Sequence, residues 1–291
     1  MLLDTAYILS YFGNDEVREK RKEFHKRQLE WLFSQKPDMK VVIYAQGYKP
    51  EDFIKQDNIR YIVNEGALLP PGPARNMLLK DFYSSDNDYG LFMDNDSVLY
   101  EHYEGKDIIN FINDRGKEFL RRVDCFYPLD PRKKPFRKYI EQNKDMFEKN
   151  FVLNNVDNLK TSLFFLKNLR KHFDKDFHMK YNGIEELYFD EEFEVLEDVD
   201  FGFCLVITRR RVYEAPSLIL KEFAVNDSTL FKDDKSRNKL NRMYKDKLYE
   251  KYKSWGLEYR NGRLKKKGLF KNAGWWDGSG IVIPKEESKD V

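Results

Sequence analysis

The chain has 291 residues, of which 41% are hydrophobic, 15% aromatic and 35% charged. This apolar share can build a sizeable core and excludes a wholly disordered protein. The 52 Lys and Arg residues nearly cancel the 50 Asp and Glu residues, and the net charge of +2 neither requires nor excludes a polyanionic partner. The two Cys residues exclude a disulfide scaffold. No run approaches the roughly 18 apolar residues of a membrane span, and the first residues lack a secretory pattern, so we expect a soluble cytoplasmic protein.

Short apolar runs alternate with segments of helical periodicity in the first third of the chain. The pattern predicts strands at 5–12, 41–44, 60–63 and 90–93 and helices at 17–34 and 74–83. Such alternation is typical of βαβ units, so we predict an α/β fold with a Rossmann-like, mostly parallel central sheet flanked by helices. Ligands bind these sheets at the carboxyl ends of the strands. Later strand candidates are less regularly spaced, at 123–127, 162–166, 211–213 and 218–220.

Charge is strongly segregated along the chain. The segment Glu185–Asp200 carries nine acidic residues and no Lys or Arg. The segment Lys232–Lys271 carries 15 basic and 5 acidic residues, a net charge of +10, which leaves −8 for the rest of the chain. The near-neutral total is therefore a cancellation between an acidic body and a basic segment near the C-terminus.

The segment Asp94-Asn95-Asp96 directly follows the predicted strand at 90–93. Two carboxylates at a strand end offer oxygen ligands that suit Mg²⁺ or Mn²⁺, and phosphate oxygens often complete the shells of these ions. A turn of solvated acids is the structural alternative. The same letters occur at Asp86-Asn87-Asp88, where no apolar strand precedes them, so the position favours Asp94 and Asp96.

A second candidate lies where the second predicted helix begins. Asn64-Glu65-Gly66 precedes Pro73-Ala74-Arg75-Asn76, which opens that helix. Free N–H groups at a helix start and the guanidinium of Arg75 could receive a diphosphate or a ribose. A capped surface helix with an exposed Arg stays open as the alternative.

The third candidate is the acidic pair at Glu197 and Asp198, which precedes the apolar stretch Val199–Leu205. Acids at a helix start are supported by the helix dipole, and helix starts also favour acids for purely structural reasons. A functional carboxylate at this position would act as a general base that takes a proton from an acceptor hydroxyl.

In their order, these three motifs resemble the metal-dependent glycosyltransferases of the GT-A fold, and in particular the inverting family that includes chondroitin-type polymerases. That family has a G…ARN segment, a strand that ends in D-x-D, and an ED-x-[DE]-F-G-[YF]-x-L segment. The resemblance covers about Tyr7 to Phe223. It implies a GT-A-like catalytic domain at 1–225, with a donor half at about 1–122 and an acceptor half at about 123–225. A basic, helical extension would follow at 226–291.

The resemblance also implies roles for individual residues. Asp94 and Asp96 would contact the Mn²⁺ or Mg²⁺ ion and the ribose of a nucleotide sugar, most simply a UDP-sugar. Asp198 would be the catalytic base, and Glu197 would hold acceptor hydroxyls. The chain's four His residues all precede Glu197, so either Asp227 or a water molecule would take the place of the family's late His as a metal ligand. The donor-binding set is then Ser10, Tyr11, Asn64, Arg75, Asn76, Asp94, Asn95 and Asp96.

The basic segment interleaves its charges with aromatic residues. Basic groups neutralise phosphates and aromatic rings stack on bases or sugars, which favours a nucleic-acid surface. Helical spacing of Leu240, Tyr244 and Leu248 favours instead an amphipathic helix whose aromatic residues pack inward. Both interpretations stay open. The expected acceptor-binding residues are Glu197, Lys265, Lys266, Trp275 and Trp276.

The residue composition and the basic segment bear on the acceptor. Only seven Ala occur beside many Lys, Asn, Tyr and Phe, a bias that suits an A/T-rich genome. With the basic segment, this makes the chain similar to phage enzymes of the arabinosyl-transferring type, which glycosylate the hydroxymethyl group of modified cytosine in double-stranded DNA. The alternatives are a glycosyltransferase that acts on a surface polysaccharide or other glycan, and a non-enzymatic nucleic-acid-binding protein.

Overall fold

A computed structural model of the protein describes residues 3–12, 15–100, 123–129, 161–173, 185–208, 210–223, 234–254, 258–260 and 263–265. The strands of its main sheet are β1 (Leu3–Tyr11), β2 (Lys40–Gln46), β3 (Ile59–Asn64), β4 (Tyr89–Asp94), β5 (Ser97–Tyr100), β6 (Cys125–Leu129), β7 (Leu163–Lys167) and β8 (Val212–Glu222). The helices are α1 (Asp15–Gln35), α2 (Pro71–Tyr83), α3 (Leu169–His172), α4 (Glu197–Ile207) and α5 (Asp234–Ser254). A short hairpin follows, formed by β9 (Glu258–Arg260) and β10 (Arg263–Lys265).

The main sheet of the described residues has the strand order β3-β2-β1-β4-β7-β6-β8-β5. Strands β3, β2, β1 and β4 run parallel to one another. On the other side of β4 the sheet is mixed: β7 runs antiparallel to β4 and β6, β8 runs parallel to β6, and β5 runs antiparallel to β8. Because β2 and β4 lie on opposite sides of β1, the order reverses between β1 and β4. This is the switch point where open α/β sheets bind ligands.

Helices cover both faces of the sheet. Ala6 and Ile8 of β1 lie in one apolar cluster with Leu29 and Leu32 of α1. Tyr7, between them, belongs to the opposite cluster, whose other members include Leu78 and Phe82 of α2 and Phe201 and Leu205 of α4. Successive side chains of a strand point to opposite faces, so a strand buried on both sides reads as a continuous apolar run. This explains the runs that predicted β1, β2 and β4.

Aromatic rings form a row across the centre of the sheet. Phe92 of β4 stacks between Tyr7 of β1 and Phe164 of β7, with ring centroids 5.0 Å apart in both pairs. A Cβ atom at Gly90 would lie 2.8 Å from the Phe92 ring and 3.0 Å from Phe82. Glycine at this position therefore lets the Phe82 ring of α2 pack closely on β4, and a larger residue would force the two rings to shift.

The predicted α/β class, with helices on both sides of a central sheet, is confirmed. The sequence pattern missed β5, a four-residue strand directly after the turn at 95–96. The two candidates at 211–213 and 218–220 are parts of one strand, β8. The register of β6 on β8 shifts between Pro128 and Leu129, opposite the Pro216-Ser217 interruption that divided the apolar pattern.

The helix α5 packs against the rest of the protein through an apolar cluster. Tyr244 and Leu248 of α5 pack with Phe193 and Val195, which precede α4, and with Phe203, which lies in α4. The predicted boundary at 225/226 lies outside the described residues, and the amphipathic pattern of α5 is confirmed. Within the described residues, each helix is too short or too polar to cross a membrane.

Candidate active site

The candidate site lies where the carboxyl ends of β1 and β4 meet the starts of α2 and α4. Asp94 is the last residue of β4, and Arg75 lies in the second turn of α2. Glu197 is the first residue of α4. These residues come from the three motifs that the sequence presents separately, and the fold brings them into contact at the switch point of the sheet.

Arg75 joins the three motifs through its guanidinium. Its Nη2 donates to Oδ1 and Oδ2 of Asp94 at 3.0 and 2.9 Å, and its Nη1 donates to Oε1 of Glu197 at 2.9 Å. The residue is only 6% exposed, and its guanidinium carbon lies 5.5 Å from the centroid of the Phe189 ring. Burial alone would lower the pKa of Arg75, but the carboxylates of Asp94 and Glu197 raise it above its usual value. Arg75 is therefore a buried cation, not an exposed residue on a capped surface helix. We call Arg75, Asp94 and Glu197 the Arg75 cluster.

The segment before α4 is held by side chains of α2. Asn76 donates from Nδ2 to the carbonyl of Phe189 at 2.9 Å and accepts from the Phe189 N–H at 2.8 Å. The hydroxyl of Tyr83 donates to the carbonyl of Leu187 at 2.9 Å and accepts from its N–H at 3.1 Å. A segment that lies in no sheet must find partners for its buried backbone groups elsewhere. Asn76, expected beside the donor, thus orients the acidic segment.

The start of α2 differs from the predicted one. The helix begins at Pro71, so its first three positions are Pro71, Gly72 and Pro73, and only Gly72 among them has an N–H group. The expected row of free N–H donors is absent from these positions, which leaves the Arg75 guanidinium as the cation at this helix start. A Cβ on Gly72 would lie 3.4 Å from the Cβ atoms of Glu197 and Phe189, which shows how closely α2 approaches α4.

Burial and charge perturb Glu197. Its side chain is 12% exposed, and burial, followed by the neighbouring Asp198, raises its pKa from 4.5 to about 7. Arg75 opposes this rise but does not cancel it. Glu197 therefore exchanges its proton near neutral pH, as acid–base groups in enzymes often do. Asp198 is half-buried, and its Oδ1 accepts from the N–H of Val199 at 2.8 Å.

The turn after β4 is built into the sheet rather than solvated. Asn95 is 2% exposed; its N–H donates to the carbonyl of Leu9 at 3.0 Å and its Nδ2 donates to Oγ of Ser10 at 3.1 Å. The side chains of Asp94 and Asp96, on either side, are 26% and 16% exposed. The inward Asn95 thus ties the ends of β4 and β1 together and leaves two acids at the rim.

A polar face of α1 contributes to the site, and the sequence reasoning missed it. Arg21 donates from Nη1 to Oδ1 of Asn95 at 3.3 Å and lies 4.0 Å from Oδ2 of Asp96. Gln28 donates from Nε2 to the carbonyls of Asp94 and Ser97, both at 2.6 Å. These residues belong to a buried stripe at helical spacing: Arg18, Arg21, His25 and Gln28. A search for apolar periodicity cannot detect it, whereas spacing of three and four among polar side chains would.

The remaining predicted donor residues order neighbouring loops. Oγ of Ser10 lies 2.7 Å from the hydroxyl of Tyr48, whose ring stacks on Phe12 at 4.3 Å. Asn64 donates from Nδ2 to Oε1 of Gln46 at 3.1 Å and to the carbonyl of Ala67 at 2.9 Å, which shapes the loop into α2. Tyr11 is half-buried, and burial raises its pKa.

The described residues provide only part of the ligand set that was predicted for a metal ion. Among the described residues, no group of three or more His, Cys, Asp and Glu is placed to hold a metal ion. Asp94 and Asp96 nevertheless offer oxygen donors of the kind that Mg²⁺ and Mn²⁺ prefer, and these ions usually keep water and phosphate ligands. Asp227, Lys266, Trp275 and Trp276 lie outside the described residues, as does the side chain of Lys265.

No protein-family model and no curated protein matches the chain. Several solved structures show a low degree of structural similarity to the chain. A protein assigned as a glucose-1-phosphate thymidylyltransferase from Bacillus anthracis is 13% identical, with a TM-score of 0.44 over 77% of this chain and 92% of the other. A protein assigned as a nucleotide-diphospho-sugar transferase from Desulfovibrio desulfuricans G20 is 12% identical, with a TM-score of 0.40 over 83% and 98%. The galactosyltransferase LgtC is 10% identical, with a TM-score of 0.36 over 79% and 90%. Because these values are so low, we infer the function from the site itself.

Proposed function

We propose that the protein is a glycosyltransferase of the GT-A type that moves a sugar from a nucleotide-sugar donor, most simply a UDP-sugar, to an acceptor hydroxyl. The observation that carries the proposal is the Arg75 cluster. A buried guanidinium joins an acid at the end of β4 to an acid at the start of α4, at the switch point of the sheet. Donor-side and acceptor-side groups are thereby held within one hydrogen-bonded unit.

On the donor side, the charges suit a diphosphate at the rim of the sheet. Asp94 and Asp96 alone would repel it, but each acid has a guanidinium beside it, Arg75 at 2.9 Å and Arg21 at 4.0 Å. We propose Asp94 and Asp96, with Asp227, as ligands of a Mn²⁺ or Mg²⁺ ion. When bound, such an ion stabilises the negative charge on a departing diphosphate. Tyr11 and Asn64, at the ends of β1 and β3, would line the nucleoside side, and the buried Ser10 and Asn95 would hold the ends of β1 and β4 behind them.

On the acceptor side, we propose Asp198 as the base. The acceptor hydroxyl gives its proton to the Asp198 carboxylate while its oxygen attacks the anomeric carbon of the donor. The bond from that carbon to the diphosphate oxygen breaks, and the nucleoside diphosphate leaves with the electron pair. Glu197, which exchanges protons near pH 7, is suited to hold the acceptor hydroxyl as either donor or acceptor.

For the acceptor itself, we propose the hydroxymethyl group of modified cytosine in double-stranded DNA. The support is the outward face of α5, where Lys239, Arg242 and Lys245 are exposed. A DNA acceptor predicts that acceptor affinity falls steeply as the salt concentration rises, because bound phosphates release counterions. A flat salt dependence would instead favour a neutral glycan acceptor.

The test of the central proposal is a donor screen. Purified protein with Mn²⁺ is exposed to UDP-, GDP- and CMP-sugars, and its thermal transition is followed. Because a ligand that binds only the native state raises the transition temperature, we expect one nucleotide class to raise it. Nucleotide release should follow with the same donor when a hydroxymethylcytosine duplex is added. If no donor in the panel binds or turns over, the transferase proposal is wrong.

A further inference from the structure

The basic helix α5 makes charged contacts with the acidic segment that leads into the site. Lys251 donates from Nζ to Oδ2 of Asp190 and to Oδ1 of Asp200, both at 2.7 Å. Asp200 is completely buried, and the Lys251 side chain is 20% exposed. The ammonium group also lies 5.2 Å from the centroid of the Phe193 ring. We call Lys251, Asp190 and Asp200 the Lys251 cluster.

Asp200 connects this cluster to the proposed catalytic acids. It lies in the first turn of α4, where its N–H donates to the carbonyl of Leu196 at 2.9 Å. Residues three apart are neighbours on a helix surface, so Asp200 lies beside Glu197, and Asp198 shares the same turn. Whatever fixes the Asp200 side chain therefore also fixes the rotation of the turn that carries Glu197 and Asp198.

The residue before this turn is strained. Leu196 has a φ of 61°, a left-handed conformation that residues with a Cβ rarely adopt. Its side chain packs against the apolar cluster that contains Tyr244 and Leu248 of α5. A strained residue persists where the surrounding packing over-determines it, and such residues concentrate at functional sites. Here part of that packing comes from α5.

A second lysine of α5 holds the same segment. Lys247 donates from Nζ to the carbonyl of Glu192 at 3.0 Å and lies 2.8 Å from its Oε2. Its ammonium group lies 5.1 Å from the centroid of the Phe193 ring, which the ammonium group of Lys251 also approaches. Two lysines one turn apart thus contact the acidic segment. Part of the basic segment therefore pairs with the acidic segment of the same chain: Lys247 and Lys251 contact it, with 40% and 20% of their side chains exposed.

From these contacts we infer that Lys251 is a positioning residue for the proposed transfer reaction: by binding Asp200, it sets the orientation of the α4 turn that presents Glu197 and Asp198. The inference rests on the proposed function for its catalytic consequence. Its structural part, the fixing of the 196–200 turn, holds independently of which reaction the site performs. Lys251 acts through Asp200 and touches neither donor nor acceptor.

Three variants test this inference. Lys251→Met removes the charge but keeps the length of the side chain, and Lys251→Arg keeps the charge. Lys26→Met is the matched control, because Lys26 is 73% exposed on α1 and belongs to neither cluster. For each variant, amide hydrogen exchange at 196–201, kcat and the donor KM are measured, with the folded fraction determined separately.

We expect Lys251→Met to speed exchange at 196–201 and to lower kcat on the order of tenfold, since a small misplacement of a catalytic group has large kinetic effects. The donor KM should stay within about twofold, because the donor side is untouched. Lys251→Arg should recover most of kcat, and Lys26→Met should match the wild type. A loss of kcat that only follows the folded fraction, or unchanged exchange at 196–201, overturns the inference.

If Lys251→Met does not fold, the pair Lys251→Met with Asp200→Asn removes both charges and avoids an unpaired buried carboxylate. It should fold and still show faster exchange at 196–201; protection equal to the wild type would overturn the inference. If the wild type transfers no sugar, the proposed function fails, and the exchange comparison still decides whether Lys251 orients the turn.

Discussion

Two cations each join a carboxylate in the first turn of α4 to a carboxylate outside that helix, and they differ in what surrounds them. Arg75 bonds Asp94 and Glu197 at the end of the sheet, whereas Lys251 bonds Asp190 and Asp200 against α5. In both cases burial lowers and the carboxylates raise the pKa of the cation, and the net shift is upward. In the Arg75 cluster, burial raises the pKa of the Glu197 carboxyl. In the Lys251 cluster, burial also acts to raise the pKa of Asp190, but hydrogen bonds outweigh it and keep that pKa below its usual value. The Arg75 cluster therefore contains a carboxyl whose protonated form is favoured, whereas the Lys251 cluster consists of ion pairs.

The largest expected effect concerns Asp198, in the turn of α4 that both clusters hold. Asp198→Asn keeps the shape of the side chain but removes the proposed base, so transfer should fall on the order of a thousandfold while donor binding persists. Steady-state kinetics and donor-induced thermal shifts measure the two quantities. Normal turnover in this variant would assign the base to a different residue.

The next effect compares the buried cation of the Arg75 cluster with an exposed arginine by its contribution to stability. Arg75→Ala leaves the carboxylates of Asp94 and Glu197 without their buried cation, and the free energy of unfolding should fall by about 3–5 kcal/mol. Arg60→Ala is a matched control, since Arg60 also contacts both carboxylate oxygens of one acid, Asp81, but is 56% exposed. Its loss should be below about 1 kcal/mol. Equal losses in urea unfolding would mean that Arg75 is no more than a surface ion pair.

The pH dependence of stability sharpens the difference further. The pKa of Glu197 is about 7 in the folded protein and 4.5 ordinarily, so the folded state binds this proton more tightly. The contribution of Glu197 is therefore fully present below about pH 4.5 and is lost as the pH rises through about 7. Glu197→Gln removes this loss. Between about pH 5 and 8, the variant should gain on the order of 2 kcal/mol relative to the wild type in urea unfolding; parallel pH profiles would contradict the raised pKa.

An effect of similar or smaller size is expected in the sheet behind the clusters. Gly90→Ala places a methyl group 2.8 Å from the Phe92 ring and 3.0 Å from Phe82. The rings must shift, which should lower the free energy of unfolding by about 1–3 kcal/mol. The donor KM should change little, because the substituted position is at the start of β4 and the site is at its end. A large rise in the donor KM would show that the aromatic row transmits strain to Asp94.

The parts of the fold that could be predicted are those whose burial is local and apolar. Strands β1, β2 and β4 are covered on both faces and therefore stand out as apolar runs, and α4 begins where acids precede an apolar stretch. The clusters themselves could not be predicted, because Arg75 meets Glu197 across 122 positions of sequence. The polar stripe of α1 gives no apolar period, and nothing in a charge count shows that Lys247 and Lys251 contact the acidic segment of the same chain. Long-range polar contacts are set by the packed fold, not by local pattern.

The central claim is that the rim of β4, held by the Arg75 cluster, binds a nucleotide-sugar donor. Isothermal titration of the donor found in the screen, with Mn²⁺ present, into wild-type protein and into Asp94→Asn with Asp96→Asn tests it directly. We predict saturable binding to the wild type, its loss on addition of EDTA, and no binding to the double variant with an unchanged circular dichroism spectrum. Equal affinity for the wild type and the double variant would contradict the claim.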